Sequence, residues 1–103
     1  KDFAQAELRP DRIAFGAVAI GKSYVRKLSL GNVGSIDLRI LEVSSAPEVS
    51  LAFKTNSVGA RKTSDITLTF TPFEKGAFNT IVKIRSNDLR NPYIFVRLEA
   101  QVD

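Results

Sequence analysis

From Ser64 to Thr71 the chain alternates without a break. Ile66, Leu68 and Phe70 are apolar, and Asp65, Thr67 and Thr69 between them are polar. A period of two sends successive side chains to opposite faces, so this segment predicts a strand with Ile66, Leu68 and Phe70 inward. The same period recurs along most of the chain, and no helical period does. Turn residues punctuate it about every ten residues, the spacing of a sandwich or barrel. The pattern predicts seven strands: Arg12 to Val18, Ser23 to Gly31, Ile36 to Ser44, Val49 to Lys54, Ser64 to Thr71, Phe78 to Ser86, and Tyr93 to Val102.

Parity assigns their faces. Tyr24, Leu28 and Leu30 share one side of the second strand, and Ile36, Leu38 and Ile40 the inner side of the third. Phe78, Val82 and Ile84 point inward from the sixth, and Ile94, Val96, Leu98, Ala100 and Val102 from the seventh. Phe15-Gly16 reads as a bend where the first strand changes sheets. Gly21-Lys22 and Asn32-Val33-Gly34 read as turns, since Gly and Asn tolerate positive φ. Pro47 ends the third strand's ladder, and Gly59 supplies the turn of the polar loop from Thr55 to Lys62. Residues 1–11 read as an N-terminal arm or linker remnant and 12–103 as one domain.

Composition narrows the chemistry. The chain has 103 residues, no Cys, no His and no Met. Disulfides and thiol chemistry are therefore absent. Without His or Cys there is no ordinary zinc, copper or haem site and no Ser-His-Asp or Cys-His nucleophile. The net charge of +4 is mildly basic and permits an acidic partner without demanding one. No apolar run approaches the roughly 20 residues that span a bilayer, so no membrane insertion is expected. A chain that starts at Lys1 and lacks Met reads as a fragment of a longer protein.

Four segments then fall in order. IAFGAVAIGKS is followed by LSLGNVGSIDLRI, then by ITLTFTPFEKGAF, and IRSNDLRNP closes the series. This punctuation resembles the ASH-type or hydin-like domains, immunoglobulin-like sandwiches related to the major sperm protein and the PapD-like fold. A bacterial family of envelope-associated domains is similar. The resemblance runs from about Arg12 to Val102 and implies an all-β, seven-stranded immunoglobulin-like β-sandwich. Gly16, Gly21, Gly34 and Gly76 match its glycines, and Asn32 its Asn-x-Gly turn. Ser86, Asn87, Asp88, Asn91 and Pro92 match the turn before the last strand. These are structural matches. Where many bacterial members carry Cys-Gly-Cys, this chain has Ser45-Ala46-Pro47, so no redox or metal role carries over. Val58 and Leu89 stand where the family often has proline.

Other chemistry is poorly supported. Glu42, Asp65, Glu74 and Glu99 are dispersed, with no cleft to pair two of them as a glycosidase requires. GNVGS is too short for a phosphate cradle and precedes a strand, not a helix. SNDLRN has one carboxylate beside Arg90, which is a turn rather than a calcium loop. Neither a catalytic site, a cofactor nor a metal is expected.

One face stands out. If the third, sixth and seventh strands share a sheet, its outer side carries Arg39 and Leu41, then Ile81, Lys83 and Arg85, then Tyr93, Phe95 and Arg97. The opposite sheet offers Val25, Lys27, Ser29, Asp65, Thr67, Thr69 and Thr71, a bland solvated surface. Exposed aromatics beside Arg mark interaction patches. Three readings of the face stay open: a partner site, a contact with a neighbouring domain, or plain cross-strand protection of the sheet.

The resulting expectation is a non-catalytic protein-interaction or spacer module within a larger protein, monomeric in isolation and without a small-molecule substrate. The second reading is assembly by edge-strand pairing, as PapD-like relatives do. Nucleic-acid binding ranks last, because the charge is modest and no RNP-type motif is present. The resemblance leans towards a bacterial periplasm or cell surface, with a cytoplasmic or ciliary setting as the alternative.

Overall fold

The structure is a computed structural model and describes residues 2–103. Among these, nine strands and no helix are found: β1 (Ala6–Arg9), β2 (Arg12–Val18), β3 (Tyr24–Asn32), β4 (Leu38–Ser44), β5 (Val49–Phe53), β6 (Ser57–Val58), β7 (Thr63–Phe70), β8 (Gly76–Ser86) and β9 (Tyr93–Val102). They form two sheets, one ordered β1-β3-β7-β5 and the other β2-β9-β8-β4-β6. All pairs are antiparallel except β2 with β9. The inner faces meet as the period-two pattern requires. Leu28, Leu30, Ile66, Leu68 and Phe70 from one sheet oppose Leu38, Val82, Ile84, Val96 and Leu98 from the other, all of them buried. An aromatic row crosses this core: Phe15, Phe70 and Phe78 stack with centroids 4.9 and 5.0 Å apart. Phe78 is half-buried rather than fully enclosed.

The strand count is nine where periodicity predicts seven. The two additions are short and lie at sheet edges. β6 pairs only Val58 and Ser57, with Leu38 and Arg39. β1 lies within the segment expected to be an arm. It pairs Ala6, Glu7, Leu8 and Arg9 with Asn32, Gly31, Leu30 and Ser29, and buries Leu8, while Ala4 just before it is also buried. Residues 3–9 are therefore part of the sandwich.

Four local expectations are corrected. The passage between sheets occurs at Pro10-Asp11, between β1 and β2. Phe15-Gly16 instead marks a bulge in the β2–β9 register between Ala14 and Ala17, with Gly16 at φ 71°. Ile36 is outside β4 and 43% exposed. In the loop before β7 the positive φ falls on Arg61, at 60°, and not on Gly59. Gly34 has no left-handed backbone. It is needed because the N-terminal segment passes directly over it: a Cβ there would sit 2.1 Å from the Phe3 carbonyl oxygen and 2.7 Å from the Gln5 nitrogen.

Candidate functional site

β4, β8 and β9 do share a sheet, so the strands of the predicted face are neighbours. Its centre is set by the β8–β9 register, in which Ile81 faces Arg97, Lys83 faces Phe95 and Arg85 faces Tyr93. Each pair thus sets an aromatic or aliphatic group beside a cation. Cross-strand neighbours on one face have Cβ atoms about 5 Å apart, close enough to act as one patch. Phe95 is 52% exposed, Ile81 48% and Tyr93 45%. The Lys83 ammonium lies 4.9 Å from the Tyr93 ring centroid, within cation–π range.

The face is less basic than parity alone predicts. β4 bulges between Ile40 and Glu42, leaving Leu41 as the extra residue. Beyond the bulge Glu42 sits opposite Arg85, and the two side chains approach to 3.5 Å. Glu99 binds Arg12 at 2.6 Å at the other border. Both pairs are exposed and contribute little to stability, but each partly neutralises a cation. Among the described residues Arg97 and Lys83 have no carboxylate partner, so they carry the free positive charge of the centre.

Arg39 and Leu41 lie at the margin. With Ile36, Asp37 and Asn87 they border a separate shallow depression. Asn87 there extends the sheet with its side chain: its Oδ1 accepts the Arg39 N–H at 2.7 Å, and its Nδ2 donates to the Asp37 carbonyl at 3.0 Å. Of the eight residues predicted for the face, the structure brings six together and sets these two apart.

An open groove of 790 Å³ runs along the β9 side of the patch. One wall is β9, with Tyr93, Phe95 and Arg97. The other is β1, with Ala6 and Leu8, and Asp11 and Arg12 close one end. No pattern in the sequence flags Leu8 or Arg12 as members. Their place depends on β1 joining one sheet and β2 joining β9 in parallel, and neither pairing is local.

Among the described residues no group of three or more His, Cys, Asp or Glu side chains converges as a metal site. No helix is long and apolar enough to cross a membrane. The arrangement offers apolar area, cations and hydrogen-bonding edges, which are the means of holding another polypeptide.

The chain is thus a two-sheet, immunoglobulin-like sandwich with an exposed mixed face and one parallel strand pair, β2 with β9. The family model described as "Abnormal spindle-like microcephaly-assoc'd, ASPM-SPD-2-Hydin" matches residues 5–94, and the chain belongs to this ASH family. Domains of this kind are non-catalytic parts of larger proteins and mediate protein interactions. No curated protein matches the chain significantly.

Solved structures show the same fold at low identity. A protein of unknown function from Porphyromonas gingivalis W83 superposes with a TM-score of 0.84 at 16% identity over 95% of this chain. The chain spans only 46% of that protein. The human CEP192 ASH/PapD-like domain (PapD-like domain 7) gives 0.75 at 17% identity, covering 98% of this chain and 87% of the other. A Caenorhabditis elegans MSP family member, WR4, gives 0.58 at 13% identity, covering 92% and 96%.

Proposed function

We propose that this chain is a non-catalytic protein-interaction module that binds a partner protein through the outer face of β8 and β9. One observation carries the reading: three consecutive cross-strand pairs, Ile81–Arg97, Lys83–Phe95 and Arg85–Tyr93, set exposed apolar and cationic groups side by side. Aromatic and Arg side chains dominate the energetics of protein interfaces, while Lys at the rim steers approach. The opposite sheet has a chemically plainer centre, where Lys27 pairs with Thr67, Val25 with Thr69 and Ser29 with Asp65. The favoured partner surface is apolar with a surplus of carboxylates, complementary to Arg97 and Lys83.

A photo-crosslinking amino acid at position 95, compared with one at position 67, tests this in the source cells. Crosslinks from position 95 to a separate protein support it. Crosslinks only within the parent polypeptide make the face a contact with a neighbouring domain, the spacer role. Equal products from both positions, or none from position 95, overturn the assignment of the face.

A further inference from the structure

The last strand ends between two loops. Val102 pairs with Val18 on the β2 side and with Gly76 on the β8 side, and the Asp103 N–H donates to the Val18 carbonyl at 2.9 Å. The end of β9 is therefore fixed between the loop after β2 and the loop before β8. These loops are joined to each other. The Gly21 N–H donates to the Pro72 carbonyl at 3.4 Å, and the Ser23 and Thr71 hydroxyls share a hydrogen bond of 2.8 Å. Gly21 and Gly76 have φ of 81° and 115°, and a Cβ on either would meet nothing within 4 Å. Glycine serves at both to turn the backbone, not to make room. The braced loops present Ile20, 42% exposed, and Phe73, 55% exposed. Turns of this kind ordinarily carry polar residues, and neither side chain belongs to the hydrophobic core. The N-terminal segment is held at the other end of the sandwich, where Asn32 and Asp88 accept the Gln5 and Ala6 N–H groups. The long dimension of the domain is 50 Å.

We propose that Ile20 and Phe73 seat the module that follows Asp103 in the parent polypeptide, so that the two stand end to end in a fixed arrangement. Domains of this family are parts of larger proteins, and a polypeptide continuing past Asp103 leaves the sandwich beside these two side chains. Neither residue belongs to the outer-face patch of β8 and β9.

Area and charge select this occupant. A free partner protein is ordinarily held by about 800 Å² on each side, which two loop side chains do not supply. A module tethered by a short linker has an effective concentration of about millimolar, so a small apolar contact is enough to close it. An anionic membrane would be drawn by a cluster of roughly four to eight cations. Here Lys22 and Lys75 are offset by Glu74 and Asp103. An apolar centre with a balanced rim suits the near end of another folded domain.

The test reads accessibility beside the two side chains. The chain has no Cys, so Lys22→Cys and Lys75→Cys are unique reporters, and Ser29→Cys on the outer face of the other sheet is the control. Maleimide labelling, followed by peptide mass spectrometry, is compared in the isolated domain, the full parent protein and a parent truncated after Asp103. Labelling at positions 22 and 75 should be slower by roughly tenfold or more in the full parent than in the isolated domain, with position 29 unchanged. Truncation after Asp103 should restore the fast rate. So should Ile20→Asp combined with Phe73→Asp in the full parent, with thermal midpoints confirming that this variant folds. Equal rates in the full parent and the isolated domain overturn the proposal. Slow labelling that persists in the truncated parent overturns it as well, because another part of the protein then covers the loops. Slow labelling that survives the double Asp variant shows a cover that does not rest on Ile20 and Phe73, and likewise overturns it. Protection of the isolated domain by phosphatidylserine–phosphatidylcholine vesicles, with none in the full parent, makes the loops a lipid contact instead. Each outcome is independent of Phe95 and Arg97, so the outer-face reading stands or falls separately.

Discussion

The carboxylate of Asp88 accepts the backbone N–H of Ala6 at 3.1 Å, joining the turn before the last strand to the first strand, 82 positions apart. Its other oxygen accepts the N–H groups of Arg90 and Asn91 at 3.0 and 3.2 Å, so one buried side chain both shapes its own loop and holds β1. Asn32 does the same one residue earlier. Its Oδ1 accepts the Gln5 and Gly34 N–H groups, and its Nδ2 donates to the Ile36 and Val58 carbonyls at 2.7 and 3.0 Å. The Asn-x-Gly and Ser-Asn-Asp elements of the sequence thus meet at one object, the N-terminal segment.

Asp88→Ala should therefore destabilise the domain by about 1–3 kcal/mol, the cost of leaving buried donors unpaired. That is a substantial share of the roughly 5–15 kcal/mol typical of a domain. Urea unfolding gives the total, and amide exchange at Ala6 shows where it acts. An Ala6 amide that exchanges no faster in the variant would mean that β1 is held without Asp88.

Gly34→Ala should be more damaging than an ordinary turn substitution, because the new Cβ meets backbone and not a movable side chain. The N-terminal segment must lift, exposing Ala4. A chain shortened to begin at Asp11 should show little further loss from the same substitution, since the obstructed segment is gone. Such non-additivity is the signature of two groups in contact. Equal losses in the long and short chains would sink the explanation.

Much of this fold is legible because one-sided burial writes itself as a period of two. Ile66, Leu68 and Phe70 are apolar at alternate positions and all three are buried. The N-terminal segment carries the same alternation, with Ala4, Ala6 and Leu8 against Gln5, Glu7 and Arg9, but alanine weighs too little for the pattern to stand out. Its register partners in β3 lie 20 to 26 positions away, and its two side-chain acceptors are Asn32 and Asp88, which read as ordinary turn residues. The bulge at Leu41 left no mark either. One extra residue shifts parity without altering composition, and so it moved Glu42 into the face unseen. The groove depends on where two strands begin, which is the least local property of a sheet.

The aromatic core row separates two phenylalanines that periodicity treats alike. Phe70 is fully buried between Phe15 and Phe78, whereas Phe78 keeps part of its ring in solvent. Phe70→Ala should cost about 3–5 kcal/mol. Phe78→Ala should cost distinctly less, because less apolar surface returns to water. Thermal or urea unfolding of the two variants settles the order, and equal losses would show that the sandwich closes over Phe78 in solution.

The outer face gives the final prediction. Phe95→Ala and Arg97→Ala should each weaken binding of the partner by about 2 kcal/mol or more if they act as interface anchors. Both side chains are exposed, so the unfolding midpoint should stay within about 0.5 kcal/mol of the parent chain. Lys83→Ala should act differently. It removes a cation without removing ring area, so it should slow association and reduce the dependence on salt, with a smaller effect on dissociation. It also frees the Tyr93 ring from the ammonium now 4.9 Å away. Thr67→Ala on the opposite sheet is the control and should change neither rate. Surface-plasmon kinetics at two salt concentrations separate these effects. Binding that survives both Phe95→Ala and Arg97→Ala undiminished would place the interface elsewhere on the domain.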